Sequence, residues 1–372
     1  MYYERPGVQS AIARMSRHVR VTVLMTVYNG AAYVRAAVAS LLEQTYADFE
    51  LLVVDDASTD GSGDIVAAMA DPRIRVVRNA VNLGLTRSLN RGLEIARGEL
   101  IARQDADDLS APDRLTKQVE FLDAHPDVAL VGSWYRKMDA AGASLGDRHL
   151  PEDHALLRWA LLFYCPFVHS AIVFRRHIVV GEHSGYDERF LYGEDYDLWS
   201  RVARRHRVAN IPAVLVAYRQ GPATMTSTLG VRSDEVLRIA CRNIANLGAP
   251  PPTALEHHAL GGLVAADESR VPRDEVLPAL TQLLGILERF CDSPWLTVDE
   301  AHRVRAAVGS SAAAVVGAHA RRLTDDEYRA ARSLLSAAAP VSGTMLPASR
   351  HEAAIRRVVE SSWIGRLWGT KA

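Results

Sequence analysis

The chain has 372 residues, of which 48% are hydrophobic and 23% are charged. This composition supplies an ordinary apolar core and excludes an intrinsically disordered chain. The 43 basic and 44 acidic residues give a net charge of −1, without the basic excess typical of proteins that hold nucleic acid through its phosphates. We therefore expect one large domain or two of ordinary size, and no nucleic-acid partner.

The cysteines and the N-terminal sequence predict a cytoplasmic protein. Cys165, Cys241 and Cys291 are widely spaced and odd in number, which argues against a disulfide scaffold or a paired-cysteine metal site. Residues 1–18 carry charges throughout and have no apolar stretch of the kind found in signal peptides. Residues 306–318 are rich in Ala and Val, but they are too few and too interrupted to span a bilayer.

The first part of the chain alternates short apolar runs with amphipathic stretches, which is typical of βαβ units around a parallel sheet. The apolar runs predict strands at 21–27, 50–54, 74–77 and 100–102. The stretches with helical periodicity predict helices at 31–44, 61–69 and 85–96.

The pattern continues less regularly up to residue 220. Helical periodicity predicts helices at 114–122, 153–163 and 194–205. Apolar runs occur at 128–134, 171–174 and 215–218, and the last two of these predict strands. A loop rich in Gly and aromatic residues, 184–193, precedes the helix at 194–205.

After about residue 228 the sequence predicts only helices, at 231–246, 253–266, 274–290, 298–308, 325–337 and 351–367. Thr297 with Glu300, and Thr324 with Glu327, have the spacing of capping boxes. We therefore divide the chain into an N-terminal extension at 1–18, an α/β domain at 19–228 and a helical C-terminal region at 229–372.

Acidic residues follow two of the predicted strands directly. Asp55 and Asp56 end one strand, and Asp105, Asp107 and Asp108 follow another. Ligands of open α/β sheets bind at the carboxyl ends of the strands. Helix capping explains one such residue but not acidic groups at two separate strand ends. The pattern therefore predicts a polar ligand site.

The Asp105-Ala106-Asp107 triplet predicts the chemistry of that site. Two carboxylates separated by one residue suit Mg²⁺ or Mn²⁺, which commonly bind through one or two carboxylates and substrate phosphates. Such an ion neutralises the charge that develops on a departing diphosphate. The partial match of 61–66 to a dinucleotide-binding glycine turn lacks its third glycine, so we reject a nicotinamide site.

Four motifs in order resemble inverting family 2 glycosyltransferases, which have the GT-A fold. They are VLMTVYN at 23–29, LLVVDDASTDGS at 51–62, GELIARQDADDLS at 98–110 and GEDYDLW at 193–199. The resemblance extends over about residues 19–220. It implies an α/β fold of the nucleotide-diphospho-sugar transferase type, a three-layer α/β/α sandwich with a mixed sheet, followed by an α-helical C-terminal region.

The resemblance also implies roles at matching positions on the donor side. Thr26 and Tyr28 match positions that line the nucleotide, and Asp56 matches the carboxylate that accepts a hydrogen bond from the base. Asp105 matches a position near the ribose and the metal, and Asp107 matches the principal metal ligand. A base with an imide N–H, as in uracil or thymine, would suit Asp56, although guanine also offers an N–H donor.

On the acceptor side, Asp195 matches the general base that deprotonates the acceptor hydroxyl. An inverting transfer needs one base on this side, and the start of the predicted helix at 194–205 favours an ionised carboxylate. The alternative, an ordinary acidic residue at a helix start, is outweighed by the upstream motifs. Glu194 is expected beside the acceptor.

Three further residues have two interpretations each. His169 precedes a predicted strand. It is interpreted either as a metal or phosphate ligand or as a buried, hydrogen-bonded structural histidine. Arg87 either approaches the diphosphate or is a solvated surface group. Tyr192 either stacks on an acceptor sugar or packs in the core, where aromatic residues beside a helix start are more often found.

The implied function is a metal-dependent, inverting hexosyltransferase that moves one sugar from a nucleoside diphosphate sugar, UDP- or dTDP-linked, to a hydroxyl acceptor. The Q-x-x-R-W motif and the flanking membrane helices of processive members are absent from this sequence, which favours single additions. The acceptor remains open among a glycan, a lipid-linked saccharide, a small molecule and a peptide. The expected setting is polysaccharide, glycolipid or natural-product glycoside biosynthesis.

Two alternative functions fit the sequence less well. A catalytically inactive nucleotide-sugar-binding or scaffold protein would have lost Asp105, Asp107 or Asp195, yet all three are present. A sugar-nucleotide pyrophosphorylase would have a Gly-rich loop with a basic residue after the first strand, where this chain has Thr26 to Gly30. A donor turnover assay separates these functions from transfer.

The last predicted helix, 351–367, combines an apolar stripe with basic residues and Trp363. Such a helix either lies at the inner face of a membrane as a peripheral contact or packs on its own domain or in a homodimer. Both interpretations stay open at the level of the sequence.

Overall fold

The computed structural model describes residues 19–221, 234–338 and Leu346, and nine strands within these residues form one sheet. The strands are β1 (Val21–Val27), β2 (Phe49–Asp55), β3 (Ile74–Arg78), β4 (Leu100–Asp105), β5 (Leu109–Ser110), β6 (Val128–Met138), β7 (Ser144–Arg148), β8 (Val173–Arg175) and β9 (Arg207–Arg219). The strand order is β3-β2-β1-β4-β8-β6-β9-β5, and β7 pairs with β6.

The sheet is mixed. Strands β1 to β4 are parallel to one another, β8 is antiparallel to both β4 and β6, and β9 runs parallel to β6. The register pairs Val27 with Asp55 and Thr26 with Asp105. The carboxyl ends of β1, β2 and β4 therefore meet at one edge of the sheet, where the acidic residues lie.

Helices cover both faces of this sheet. They are α1 (Val34–Leu42), α2 (Ser62–Ala67), α3 (Leu85–Ile95), α4 (Arg114–Ala124), α5 (His154–Ala160) and α6 (Glu194–Ala203). Because successive side chains of a strand point to opposite faces, Val23 packs in the cluster that includes α1 and α4, whereas Leu24 packs in the one that includes α3 and α6. The result is the expected three-layer α/β/α sandwich.

The helical C-terminal region follows the sheet. Its helices are α7 (Asp234–Ala245), α8 (Ala254–Ala265), α9 (Val276–Cys291), α10 (Val298–His319) and α11 (Asp325–Ala338). They share one apolar cluster with Trp159 of α5, whose ring lies 5.3 Å from that of Phe290. The region therefore packs directly against the sheet's own helical layer.

Both predicted capping boxes are confirmed. The side chain of Thr297 accepts the Glu300 N–H, and Glu300 accepts the Thr297 N–H in return. The same reciprocal pair of hydrogen bonds joins Thr324 and Glu327. These bonds satisfy N–H groups that the first helical turn leaves free.

Several predicted boundaries differ from the structure. The run at 215–218 is the end of β9, which begins at Arg207, and the helix at 153–163 ends at Ala160. The helix predicted at 298–308 continues to His319, so residues 306–318 are its second half. Strand β7 was missed because its sequence, SLGDR, is exposed and lacks apolar alternation. No helix in the described ranges is long and apolar enough to cross a membrane.

Three sequence predictions fall outside the described residues. These are the N-terminal extension at 1–18, the boundary between residues 228 and 229, and the helix at 351–367. Each stays a prediction.

Candidate active site

Two loops at the carboxyl edge of the sheet hold each other. The loop after β1 donates the Gly30 N–H to the Ser62 hydroxyl at 2.9 Å and the Ala31 N–H to Asp60 at 2.9 Å. Asn29, with a φ of 52°, accepts the Thr59 N–H at 2.9 Å. These bonds fix the backbone beside Tyr28, whose side chain is exposed. The contact between Tyr28 and a nucleotide stays a prediction.

Asp56 is buried at this edge and organises the next loop. Its Oδ1 accepts hydrogen bonds from the Asn79 side chain at 2.5 Å and the Leu83 N–H at 2.8 Å, and its Oδ2 accepts the Gly84 N–H at 2.9 Å. A carboxylate oxygen has two lone pairs, so Oδ2 retains one for a further donor. The predicted contact with a nucleotide base would use that lone pair. Thr26 pairs with Asp105 in the register of β1 and β4, and its contact with the nucleotide stays a prediction.

Asp105 ends β4 next to a buried guanidinium. Its Oδ1 lies 2.5 Å from an Arg103 nitrogen, its Oδ2 accepts the Ser170 hydroxyl at 2.8 Å, and its own N–H donates to Ser170 at 3.0 Å. Burial acts to raise the pKa of Asp105, but Arg103, with His169 and Ser170, lowers this pKa below its ordinary value. Asp105 is therefore a stable anion that retains some exposure to the cleft.

Asp107 and Asp108 follow in the turn after β4. Burial and the charge of Asp105 raise the pKa of Asp107 to about 6. Asp108 is completely buried and accepts the Arg219 N–H at 2.7 Å, while Arg219 Nε donates to the Asp107 carbonyl oxygen at 2.8 Å. The end of β9 thus holds the turn and leaves the Asp107 carboxylate beside that of Asp105.

A second buried arginine supports this turn from behind. Arg114, at the start of α4, donates to Gln104 Oε1 at 2.7 Å, to the Ser110 hydroxyl at 2.9 Å and to the Arg103 carbonyl oxygen at 2.8 Å. Burial lowers the pKa of Arg114 to about 9, so the side chain still carries its charge at neutral pH. No role for Arg114 could be predicted from the sequence, because its partners are amide, hydroxyl and carbonyl oxygens that only the fold brings together.

Asp195 lies at the N-terminus of α6, where Gly193 adopts a φ of 72°. Its Oδ1 accepts the Tyr196 N–H at 2.7 Å, and its Oδ2 lies 4.0 Å from Cys165 Sγ. Burial raises the pKa of Asp195 to about 6, although the Tyr196 N–H opposes the shift. Burial together with the Asp195 charge raises the pKa of Glu194 to about 8. Arg103 opposes both shifts, but within the described residues neither carboxylate forms an ion pair with an arginine or a lysine.

The 3₁₀ turn His169–Ala171 connects the two carboxylate groups. Ser170 is bonded to Asp105, as described above, and His169 Nδ1 faces Glu194 at 3.9 Å. His169 Nε2 shares a hydrogen bond of 2.9 Å with the Tyr186 hydroxyl, and burial lowers the pKa of His169 to about 3. The histidine is thus neutral, buried and hydrogen-bonded, while its role as a metal ligand stays a prediction. Ser170 was missed because a lone serine carries no sequence signal.

Arg87 lies on α3 and pairs with Glu188 at 3.1 Å on the protein surface. Three residues further along the same helix, Asn90 makes two hydrogen bonds to the Tyr186 backbone, at 2.8 and 2.9 Å. Helix α3 therefore holds the loop at 184–193. A contact between Arg87 and a diphosphate remains a prediction that requires the pair with Glu188 to open.

Tyr192 lies in the same loop, next to the helical C-terminal region. Glu235 of α7 accepts the Leu191 N–H at 3.1 Å and the Tyr192 N–H at 2.7 Å. A side chain at Gly193 would contact Ile239 of α7 at 3.3 Å. Helix α7 thus shapes the backbone that leads to Asp195, a contact that no sequence pattern predicts. The stacking role of Tyr192 is untested.

Comparisons with known proteins agree with these observations. The family model Glycosyl transferase family 2 matches residues 22–179. The chain is 34% identical over 206 residues to the amylovoran biosynthesis glycosyltransferase AmsE of Erwinia amylovora, a match that covers 54% of this chain and 76% of AmsE. It is 31% identical over 209 residues to an uncharacterized glycosyltransferase of Haemophilus influenzae, covering 54% of this chain and 65%, just under two thirds, of that protein.

Among solved structures, TarS 1-349 of S. aureus in complex with UDP-GlcNAc superposes with a TM-score of 0.50. The match covers 86% of this chain and 91% of that one, at 18% sequence identity. At this identity the likeness concerns the fold, which is of the GT-A type.

Proposed function

This chain belongs to glycosyltransferase family 2, and we propose that it is a metal-dependent, inverting, non-processive hexosyltransferase. It moves one sugar from a nucleoside diphosphate sugar, UDP- or dTDP-linked, to a hydroxyl of an acceptor. AmsE is named for amylovoran biosynthesis, which supports a role for this chain in polysaccharide biosynthesis over glycolipid or natural-product glycoside synthesis.

One observation carries the proposal: a single turn lies between two carboxylates, Asp105 and Asp195, whose pKa values are shifted in opposite directions. Ser170 bonds the Asp105 carboxylate at 2.8 Å, and the preceding His169 faces Glu194, the neighbour of Asp195. The pKa of Asp105 is lowered, whereas burial raises that of Asp195 to about 6. An anion that binds cations and a base that titrates near neutral pH are the two groups that an inverting transfer requires.

The acidic turn suits a divalent cation. Asp105 and Asp107 offer two carboxylates. Burial and, after it, the charge of Asp105 raise the Asp107 pKa to about 6, so a bound cation would relieve the repulsion between the two. Mg²⁺ and Mn²⁺ prefer oxygen ligands and take further ones from substrate phosphates. Bound Mn²⁺ or Mg²⁺ would neutralise charge on the leaving diphosphate. His169, the third candidate ligand, has its Nε2 engaged with Tyr186.

The residues of this chain supply the other half of the chemistry. Asp195 accepts the proton of the acceptor hydroxyl while the acceptor oxygen forms a bond to the anomeric carbon. The bond between that carbon and the diphosphate oxygen breaks on the opposite face, so the configuration inverts and the nucleoside diphosphate leaves with the electron pair. The proton on Asp195 passes to solvent before the next turnover.

The donor side is assigned to residues at the sheet edge. We propose that Thr26 and Tyr28 line the nucleotide and that the free lone pair of Asp56 Oδ2 accepts an imide N–H of uracil or thymine. Glu194 and Tyr192 would contact the acceptor, and Arg87 would approach the diphosphate. Membrane contact or dimer formation through residues 351–367 stays a prediction.

A transfer assay tests the proposal. Sugar nucleotides with UDP, dTDP and GDP are incubated with glycan and lipid-linked acceptors and Mn²⁺ or Mg²⁺, and the product linkage is analysed by NMR. The proposal predicts one added sugar per acceptor with the anomeric configuration opposite to that of the donor. Retention of configuration, or chains of added sugars, would contradict it. Donor binding without transfer to any acceptor would favour the inactive binding protein instead.

A further inference from the structure

A group of two histidines and a glutamate lies at the opposite end of α6 from Asp195. One ligand atom each from Glu182, His183 and His206 lies within 4.8 Å of the other two. Across residues 19–221 and 234–338, no other group of three or more His, Cys, Asp or Glu side chains comes this close. We call these three residues the His-Glu cluster.

The backbone holds the members of the cluster in place from both sides. Glu182 is the last residue of a π-helix, His177–Glu182, and His183 follows it directly. His206 follows the end of α6. Arg201 of α6 donates to the carbonyl oxygens of His183 at 2.7 Å and Gly185 at 2.8 Å. π-Helical turns are rare and frequently mark functional sites, and this one has no part in the transfer chemistry proposed above.

The hydrogen bonds within the cluster are incomplete. His206 Nε2 and Glu182 Oε2 are 2.9 Å apart and bonded. His183 Nε2 is buried and has no hydrogen-bond partner within the described part of the chain. A buried polar atom without a partner destabilises the fold. A cation that accepts the lone pair of this nitrogen would remove the destabilisation caused by the missing hydrogen bond.

We propose that Glu182, His183 and His206 bind one divalent transition-metal ion of the Zn²⁺ type, with water in the fourth position. Imidazole nitrogens and a carboxylate are the ligands that Zn²⁺ takes, at about 2.0–2.2 Å. In a tetrahedral site, such ligand atoms are about 3.4 Å apart, so Glu182 and His206 would separate slightly and His183 would move inward. Mg²⁺ disfavours a site with two nitrogen ligands.

The charge of one guanidinium near the cluster is partly neutralised. Arg201, which bonds the His183 carbonyl oxygen, donates from its Nε to Asp197 Oδ2 at 2.8 Å, and Asp197 also pairs with Arg242. Asp197 is completely buried and offsets part of the Arg201 charge, while Arg205 adds a second positive charge near His183. The glutamate supplies the negative charge for the metal.

The consequence of binding follows from the position of the ligands along the chain. Glu182 and His183 precede the segment 184–205, and His206 follows it. This segment contains the loop with Tyr192 and the helix with Asp195. A bound ion would tie both ends of the segment together and disfavour its local opening. The cluster shares no residue with the acidic turn, and the proposal is independent of which reaction the protein catalyses.

Metal binding by the full chain tests the proposal. Chelator-treated protein is titrated with Zn²⁺ and the bound metal is counted after dialysis, and a parallel titration with Co²⁺ records visible absorption. We expect one Zn²⁺ per chain, a tetrahedral Co²⁺ spectrum, and loss of both in His183→Ala and His206→Ala. Glu182→Gln retains the bond to His206 and should weaken Zn²⁺ binding at least about ten-fold.

Two variants serve as controls. His177→Ala removes an exposed histidine of the same π-helix, and Asp107→Asn removes a carboxylate of the acidic turn. Both should retain the ion and its Co²⁺ spectrum. Added Zn²⁺ should also raise the melting temperature of the wild type but not of Glu182→Gln. Equal Zn²⁺ affinity in wild type and Glu182→Gln, or loss of the ion in His177→Ala, would overturn the proposal.

Discussion

Asp105 at the end of β4 and Asp195 at the start of α6 are of the same chemical type and lie on either side of one turn, yet their pKa values are shifted in opposite directions. The pKa of Asp105 is lowered although burial acts to raise it, because an Arg103 nitrogen lies 2.5 Å from its carboxylate. Burial raises the pKa of Asp195 to about 6, and Arg103, which opposes this shift, forms no ion pair with Asp195 in the described residues. A single guanidinium therefore separates a permanent anion from a group that can accept a proton near neutral pH.

The two groups also differ in what positions them. The acidic turn after β4 is held by Arg114 and Arg219, both within the α/β domain. The backbone leading to Asp195 is held by Glu235 of α7, in the helical C-terminal region. In our proposal the donor side is thus built into the sheet, while the acceptor side depends on the helical C-terminal region. Each prediction below tests this difference.

The largest effect is expected at the base. Asp195→Asn keeps the shape of the side chain but cannot take a proton, so we expect turnover to fall by about 10²–10⁴-fold, the range typical of general base catalysis. Donor affinity, measured by calorimetry, should not change. Glu120→Gln, a change at an exposed carboxylate of α4, is the control and should be fully active. Loss of donor binding in Asp195→Asn would contradict the assignment.

Asp107→Ala should act on the donor side. The side chain contributes a metal ligand in our proposal, so its removal should weaken metal-dependent donor binding at least about ten-fold, judged from the effect of changes around metal ligands. Asp113→Ala, an exposed carboxylate that pairs with Lys117 at 2.6 Å, is a matched control nearby in the sequence. If the metal dependence of Asp107→Ala equals that of the wild type, Asp107 is not a ligand.

The pH dependence of kcat tests the assignment of Asp195 without mutation. Asp195 must be ionised to accept a proton, and burial raises its pKa to about 6. Measured at saturating donor and metal, kcat should be constant above pH 6–7 and fall about ten-fold per unit below about pH 6. An acid limb near the ordinary aspartate value of about 4 would show that the base is not this buried group.

Glu235→Ala removes the contact between α7 and the loop before Asp195. Two backbone N–H groups lose their acceptor, which should weaken the positioning of that loop by about 1–2 kcal/mol. We expect a higher KM for the acceptor, by up to about ten-fold, and an unchanged donor affinity. Glu235→Gln retains an acceptor oxygen and should restore most of the acceptor affinity. An equal loss of donor and acceptor affinity would contradict the proposal that the sheet positions the donor and the helical region positions the acceptor.

The smallest effect on activity is expected at Thr297. Thr297→Ala deletes the N-cap of α10, which should lower the free energy of unfolding by about 1 kcal/mol. A urea titration would measure this loss. Kinetic constants should not change, because the capping box lies in the helical region away from Asp195. A change in kcat would show that α10 contributes to the site.

The sequence was sufficient for the parts of the fold and site that repeat regular patterns. Strand β1 was predicted at its observed bounds, since apolar β-branched runs and turn residues are local signals. The acidic groups at the ends of β2 and β4 were expected at one sheet edge, which the register confirms. The residues carrying the family resemblance are the same ones that build this edge.

Residues that act through contacts distant in sequence could not be predicted. Ser170 bonds Asp105 across 65 residues, and Glu235 bonds Tyr192 across 43. Neither contact has a local pattern, since a serine or a glutamate at a helix start is common. The His-Glu cluster was missed for the same reason, because a π-helix places Glu182 and His183 beside a histidine that follows α6.

The measurement that tests the central claim most directly is calorimetry of UDP-, dTDP- and GDP-sugars against the wild-type protein, with Mn²⁺, Mg²⁺ and EDTA. The account predicts that one nucleotide series, UDP or dTDP, binds in the presence of metal and loses that affinity in EDTA. Metal-independent binding, or no binding of any donor at adequate concentration, would contradict a donor site built on Asp105 and Asp107.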